Sequence, residues 1–123
     1  MEKVILIVED DPKSLKLTRD LLQVSGYTTI EATDGKQGVE LAKARKPDLI
    51  LMDIMMPVMD GYTACYAIKA DEATREIPVV MLTAMGYELN KKLAEKMGAC
   101  GYITKPFSRQ ELLDVINQFL PVS

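Results

Sequence analysis

Residues 4–11 read VILIVEDD, five consecutive apolar residues followed at once by three acids. An unbroken apolar run, rather than an alternating one, is typical of a strand that is covered on both faces, as strands are in parallel sheets. Similar runs recur along the chain, strongly at residues 49–52 and 79–82 and more weakly at residues 27–30 and 102–104. These five segments predict five parallel strands.

The segments between these strands have the spacing and punctuation of helices. Leu17, Leu21 and Val24 form an apolar stripe at i, i+4 and i+7 after the first strand. A similar stripe near the end comprises Leu112, Val115, Ile116 and Phe119, and further helices are predicted at residues 35–45, 61–70 and 89–97. Five strand–helix units predict an α/β fold with a right-handed, doubly wound parallel sheet. We expect residues 1–123 to form a single domain with no output domain.

The composition excludes several classes of function. The 15 Lys and Arg against 18 Asp and Glu give a net charge of −3, which disfavours binding to nucleic acid or to anionic membranes. The chain has no histidine, so Ser-His-Asp and Cys-His catalysis and His-containing zinc sites are excluded. Two cysteines, Cys65 and Cys100, are interpreted as reduced, buried thiols. With no secretory or membrane-spanning segment either, the sequence predicts a cytoplasmic protein.

Chemically active side chains follow four of the predicted strands. They are Glu9, Asp10 and Asp11 after the first, Asp53 after the third, Thr83 after the fourth and Lys105 after the fifth. Open parallel sheets bind ligands outside the carboxyl ends of their strands, so these side chains should converge at one edge. Asp11 precedes Pro12 and is interpreted as a helix cap.

The acids of this group predict a metal site. Crowding of Glu9, Asp10 and Asp53 opposes their full ionisation, and a hard cation such as Mg²⁺ relieves the repulsion. With the metal bound, Asp53 can stay ionised and act as a nucleophile toward a phosphoryl group. Lys105 and Thr83 would then stabilise the oxygens of that group. The alternative interpretation is that these acids only cap helices and solvate loops.

Four strings of sequence also carry a family resemblance. IVEDDP, DLILMDIMMPVMDG, PVVMLTA and GYITKPF, in that order, resemble the signature blocks of the receiver domains of bacterial two-component response regulators. The resemblance extends from Val4 to Leu120. It implies a flavodoxin-like fold with strand order 2-1-3-4-5 and a stand-alone switch similar to the chemotaxis regulators.

The resemblance also implies an acceptor and its metal ligands. Asp53 would take a phosphoryl group from a phosphohistidine on a sensor histidine kinase or a histidine phosphotransfer protein. Asp10 would ligate Mg²⁺ directly and Glu9 through water, and the backbone carbonyl of Met55 would be a further ligand. The domain would assist only its own phosphorylation and dephosphorylation and would not be an enzyme in the ordinary sense.

The response is implied in the same way. Thr83 and Lys105 match the partners of the phosphoryl group, and Tyr102 matches an aromatic switch that packs inward when Thr83 moves. The change would reach a surface made by the fourth helix, fifth strand and fifth helix. There the domain would control an output partner, or else it would pass the phosphoryl group on.

Other classes are weaker at particular residues. A phosphohydrolase of the aspartyl-phosphate type needs a second acid two residues after its nucleophile, where this chain has Met55. A flavodoxin-like electron carrier needs a loop that attracts phosphate after the first strand, where this chain has acids. A receiver fragment of a longer regulator or hybrid kinase stays open.

Two methionines bear on how long a phosphoryl group would persist. By the resemblance, Met55 and Met85 flank the path of the hydrolytic water. Neither side chain orients water by hydrogen bonding, so slow self-dephosphorylation is expected.

Overall fold

Five parallel strands form one sheet, and a helix follows each strand along the chain. The structure, a computed structural model, describes residues 2–84 and 91–120. The strands are β1 (Val4–Val8), β2 (Thr28–Ala32), β3 (Leu49–Asp53), β4 (Val79–Ala84) and β5 (Gly101–Lys105). The helices are α1 (Pro12–Val24), α2 (Gly35–Arg45), α3 (Gly61–Ala70), α4 (Lys91–Met97) and α5 (Arg109–Phe119). The strand order is β2-β1-β3-β4-β5, which confirms the predicted flavodoxin-like α/β fold.

Both faces of the sheet are covered by helices, which explains the unbroken apolar runs. In β1, Leu6 and Val8 belong to one core, whereas Ile5 and Ile7 belong to the core on the opposite face. Helices α2 and α3 contribute Ala42, Ala64 and Ile68 to the first core, and α1 and α5 contribute Leu15, Leu22, Leu112 and Ile116 to the second. Because alternate residues face opposite sides, the central strands are apolar at successive positions until they reach the carboxyl edge of the sheet.

Helix α1 forms where it was predicted, but it turns a different side toward the core. Leu15, Thr18 and Leu22 are buried, whereas Leu17 is 55% exposed and Val24 is 75% exposed. Of the apolar stripe read from the sequence, only Leu21 packs against the core. Leucines lie on several sides of this helix, so spacing alone does not identify the side that meets the sheet.

Capping side chains set the beginnings of the first and last helices. Asp11 accepts a hydrogen bond from the backbone N–H of Ser14 at 3.2 Å, as its interpretation as a cap requires. Ser108 and Glu111 form the reciprocal bonds of a capping box at the start of α5. Both helices thus begin next to the carboxyl edge of the sheet.

The two cysteines differ from each other. Cys65 is buried in the core, as predicted, and burial raises the pKa of its thiol to about 11. Cys100 is exposed, contrary to the prediction, because it lies just before the edge strand β5.

Candidate functional site

The acids that end β1 and β3 meet at the carboxyl edge of the sheet. Val8 of β1 stands opposite Met52 of β3, so Glu9 and Asp53, the next residues of each segment, lie side by side. Glu9, Asp10 and Asp53 each place a carboxylate oxygen within 4.8 Å of the others. Glu9 and Asp53 are buried, whereas Asp10 is exposed at the mouth of the cluster. We call these three residues the acid cluster.

Lys105 reaches the acid cluster from β5, at the edge of the sheet. Its Nζ donates hydrogen bonds to Oε1 of Glu9 and, at 3.1 Å, to Oγ of Ser14. The same nitrogen lies 3.7 Å from Oδ1 of Asp53. One ammonium therefore contacts both buried carboxylates, and its closest partner is Glu9, a pairing that the sequence did not predict.

The two buried acids titrate in opposite directions. Burial opposes ionisation of Glu9, but hydrogen bonds with Asp53, Lys105 and Ser14 outweigh it and lower the pKa of Glu9. For Asp53, burial first and then the hydrogen bond and charge of Glu9 raise the pKa to about 8, although Lys105 acts against them. Without metal, burial and the neighbouring Glu9 thus favour the protonated form of Asp53, whereas Lys105 favours the ionised form of Glu9, in accord with the expected crowding.

The loop after β3 holds Asp53 against the start of α3. Oδ1 of Asp53 accepts a hydrogen bond from the N–H of Ile54 at 3.0 Å, and the N–H of Gly61 donates to the Ile54 carbonyl at 2.9 Å. A Cβ at Gly61 would lie 2.2 Å from the carbonyl oxygen of Asp53, so only glycine fits there. Asp60 caps α3 by accepting from the N–H of Thr63 at 2.9 Å. The backbone thus fixes the acceptor side chain closely.

Thr83 lies near the end of β4, beside β3. Its strand neighbour Leu82 is paired with Asp53, so Thr83 stands at the same edge of the sheet as the acid cluster. Thr83 is 3% exposed, and within the described residues its Oγ1 has no hydrogen-bond partner. A buried hydroxyl without a partner costs about 1–3 kcal/mol, so it marks a place where a ligand oxygen would be stabilising.

Tyr102 lies away from the acid cluster, on the outer side of β5. The residue is 43% exposed, and the Nζ of Lys91 lies 5.3 Å from the centre of its ring. This contact is a cation–π interaction between α4 and β5. The predicted switch residue therefore faces outward in this structure.

Two methionines were given roles by the sequence, and the structure describes only one of them. Met55 is in the loop after β3, and its side chain is 66% exposed. Only its backbone carbonyl was expected to ligate metal, so this exposure does not affect that expectation. Met85, the second methionine expected to flank the water path, lies outside the described residues.

The acid cluster suits a hard divalent cation. Its donors are carboxylate oxygens, which Mg²⁺ prefers, and they lie close enough together to share one ion. The raised pKa of Asp53 shows that negative charge there is poorly compensated without a cation. The residues present therefore fit the predicted Mg²⁺.

The sequence did not identify Ser14 as part of this edge. Ser14 lies in the first turn of α1, three residues after its cap, and this placement directs its side chain toward Lys105. Beside both residues opens a largely apolar groove of about 380 Å³. Leu17, Pro106 and Phe107 contribute to its walls. Position in a first turn was the available signal, but it does not specify a partner.

Comparisons with known proteins agree with this geometry. The family model of the response regulator receiver domain matches residues 5–117. The DNA-binding dual master transcriptional regulator RpaA of Synechocystis is 42% identical over 116 residues, 94% of this chain and 48% of RpaA. The chain thus spans about half the length of that relative. The polar-differentiation response regulator DivK of Brucella anthropi is 38% identical over 120 residues, 98% of each chain.

A solved structure extends the comparison to the site. The receiver domain of sensor histidine kinase PA1611 from Pseudomonas aeruginosa PAO1 has a magnesium ion coordinated in its active site cleft. It is similar to this chain with a TM-score of 0.91 at 34% identity, covering 99% of this chain and 100% of that one.

An acid cluster and a lysine thus meet at the carboxyl edge of a 2-1-3-4-5 sheet in a domain of the α/β class. The chain belongs to the response regulator receiver domain family and is a receiver domain of two-component signalling. Such domains are signalling switches rather than enzymes in the ordinary sense. Within the part of the chain that the structure describes, no helix is both long and apolar enough to cross a membrane.

Proposed function

We propose that Asp53 accepts a phosphoryl group from a phosphohistidine on a sensor histidine kinase or histidine phosphotransfer protein. The observation that carries the proposal is the position of Asp53, which lies buried among two further acids with an ammonium 3.7 Å away. Glu9, Asp10 and Asp53 would hold Mg²⁺ with the backbone carbonyl of Met55. When bound, Mg²⁺ supplies the positive charge that keeps Asp53 ionised and offsets charge on the phosphoryl oxygens.

The side chains of this site would have different roles in phosphoryl transfer. An oxygen of the Asp53 carboxylate attacks phosphorus, the phosphorus–nitrogen bond breaks, and the imidazole leaves with the electron pair and takes a proton from water. Lys105 and the hydroxyl of Thr83 donate hydrogen bonds to oxygens of the transferred group. Among residues 2–84 and 91–120 the Thr83 hydroxyl has no hydrogen-bond partner, which supports this role because the phosphoryl group would supply one.

The response would pass along β4 and β5. Thr83 moves toward the phosphoryl oxygen, and Tyr102 then leaves its outward position and packs inward. The exposure of Tyr102 and its contact with Lys91 support an outward resting state on the α4–β5–α5 surface. An output partner would read that surface, or a further histidine would remove the phosphoryl group.

The apolar groove beside Lys105 would receive the phosphodonor protein. It adjoins Lys105 directly, and the 55% exposed Leu17 offers it an apolar contact next to the acceptor. Leu17→Glu should slow transfer from a phosphohistidine protein while leaving phosphorylation by acetyl phosphate unchanged, since the small donor needs no docking surface.

The experiment that tests the function is covalent labelling. Incubation with acetyl phosphate and Mg²⁺ should add one phosphoryl group that hydroxylamine removes, and Asp53→Asn should prevent this because an amide is a negligible nucleophile. Asp60→Asn is the matched control, since it changes an aspartate in the same loop and asparagine still caps α3. Equal labelling of Asp53→Asn and wild type would refute the assignment of Asp53.

Titration with Mg²⁺ tests the metal ligands separately. Asp10→Ala should weaken binding more than Glu9→Ala, because Asp10 is proposed as the direct ligand and Glu9 as a ligand through water. Calorimetry of both variants measures this difference. Unchanged affinity in Asp10→Ala would place the metal elsewhere.

A further inference from the structure

The Lys105 side chain must extend from the edge strand to reach the acid cluster. It leaves β5, whereas Glu9 follows β1, and β3 and β4 lie between these two strands in the sheet. A lysine side chain can adopt many rotamers, and its ammonium is held only by the acceptors that it meets. Fixed placement of this nitrogen therefore needs acceptors around it.

The two acidic acceptors of Lys105 are also the groups that the reaction uses. Glu9 and Asp53 belong to the acid cluster, so a metal ion competes with the ammonium for their charge. Phosphorylation then changes Asp53 itself. The third partner, Ser14, is neutral, is not a member of the acid cluster, and lies 3.1 Å from Nζ on a different element.

The hydroxyl of Ser14 is not used by its own helix. The capping bond at the start of α1 runs from the backbone N–H of Ser14 to Asp11. The side chain is half-buried and accepts from Lys105. Its partner comes from β5, so it ties the edge strand β5 to α1.

We propose that Ser14 is a positioning residue that holds the Lys105 ammonium beside Asp53 for phosphoryl transfer. Ser14 is the acceptor that neither the metal nor the phosphoryl group displaces, so it keeps Nζ at the site while Glu9 and Asp53 change partners. It touches no reacting atom and acts through Lys105. This inference rests on the proposed function of Asp53.

The rate of phosphorylation by acetyl phosphate with saturating Mg²⁺ tests the proposal. Ser14→Ala should lower this rate about three- to tenfold, because it removes one of several contacts that place the ammonium. Ser14→Thr keeps a hydroxyl at the same position and should restore most of the rate. Ser25→Ala, a serine at the other end of α1, is the matched control and should behave as wild type.

A double-variant cycle separates positioning from a merely structural role. If Ser14 acts through Lys105, then Ser14→Ala should not lower the phosphorylation rate further in a Lys105→Ala background. The same fold-decrease in both backgrounds would overturn the proposal, as would wild-type rates in Ser14→Ala. Thermal unfolding of Ser14→Ala should stay near that of Ser25→Ala. Failure of the wild-type protein to take up phosphate would instead refute the function of Asp53, so the two failures are distinguishable.

Discussion

Strands β3 and β5 both end on a residue of the site, yet they are held very differently. All five residues of β3 are buried, and Asp53 is the last of them. In β5 only Ile103 is buried, while Tyr102 and Thr104 are exposed and Lys105 is half-buried. The cause is position, since β3 is at the centre of the sheet and β5 is at its edge.

This difference separates a fixed part of the site from a movable one. Asp53, the proposed acceptor, sits on a strand that cannot shift without disturbing both cores. Lys105 and Tyr102 sit on a strand whose neighbours include α4, a seven-residue helix in which only Ala94 is buried. A response surface drawn from the less tightly packed part of a fold is what a switch needs.

The largest effect should come from the core of β3. Leu51→Ala removes a fully buried side chain and should lower the free energy of unfolding by about 2–5 kcal/mol. Thr104→Ala, at an exposed position of β5, should stay within about 0.5 kcal/mol. Urea denaturation of the two variants measures the contrast. Similar losses in both would mean that β5 is packed as firmly as β3.

Two glycines allow the same comparison, one packed against the end of β3 and one at the start of β5. In Gly61→Ala the new Cβ would meet the backbone of Asp53 at 2.2 Å, which should cost roughly 1–3 kcal/mol and slow phosphorylation. In Gly101→Ala, at the start of β5, it would meet the ring of Phe119 at 3.1 Å, and a side chain can move aside. Unfolding measurements should show the larger loss at Gly61, and the reverse order would contradict this account.

The pH dependence of the free energy of unfolding reports on the ionisation of Asp53 at the end of β3. The folded pKa of Asp53, about 8, is above the ordinary aspartate value of 3.8, so folding favours its protonated form. That contribution is complete below pH 3.8 and is lost as pH rises through 8. Metal-free protein should therefore lose stability steadily between about pH 4 and pH 8, by roughly 1–2 kcal/mol once screening by solvent is allowed for, with little further loss above pH 8. Asp53→Asn should abolish the slope, and an unchanged slope in that variant would assign it to another group.

The smallest effect should come from the outer side of β5. Lys91→Ala removes the cation over the ring of Tyr102, an exposed interaction worth about 0.5–1 kcal/mol. Tyr102 should then move inward more readily, so the ring signals of Tyr102 in an NMR spectrum should shift toward those of the phosphorylated protein. Lys92→Ala, the neighbouring lysine, serves as the control. Identical Tyr102 signals in wild type and Lys91→Ala would exclude the contact as a restraint.

The sequence predicts well what depends on order along the chain. Unbroken apolar runs located the strands, and the rule that parallel strands end at one edge brought Asp53, Thr83 and Lys105 together before any geometry was known. Caps such as Asp11 were also readable, because they depend on neighbours within three residues.

What the sequence does not predict depends on packing between elements. The buried side of α1 was misread because Leu17 is as apolar as Leu15, and only contact with the sheet distinguishes them. The pairing of Lys105 with Glu9 joins residues 96 positions apart. Cys100 was expected inside because cysteine favours burial, but the edge position of β5 left it exposed.

The bond between Glu9 and Lys105 joins the segment after β1 to β5, the first and last strands along the chain, and this has a consequence during synthesis. A nascent chain on the ribosome, in which β5 has not yet been synthesised, contains the acids but lacks the ammonium that completes the site. Under the proposed function, such a chain, or one whose edge strand has not yet docked, would offer a phosphodonor an incomplete acceptor. Only a molecule in which β5 has docked would then be able to take up the signal.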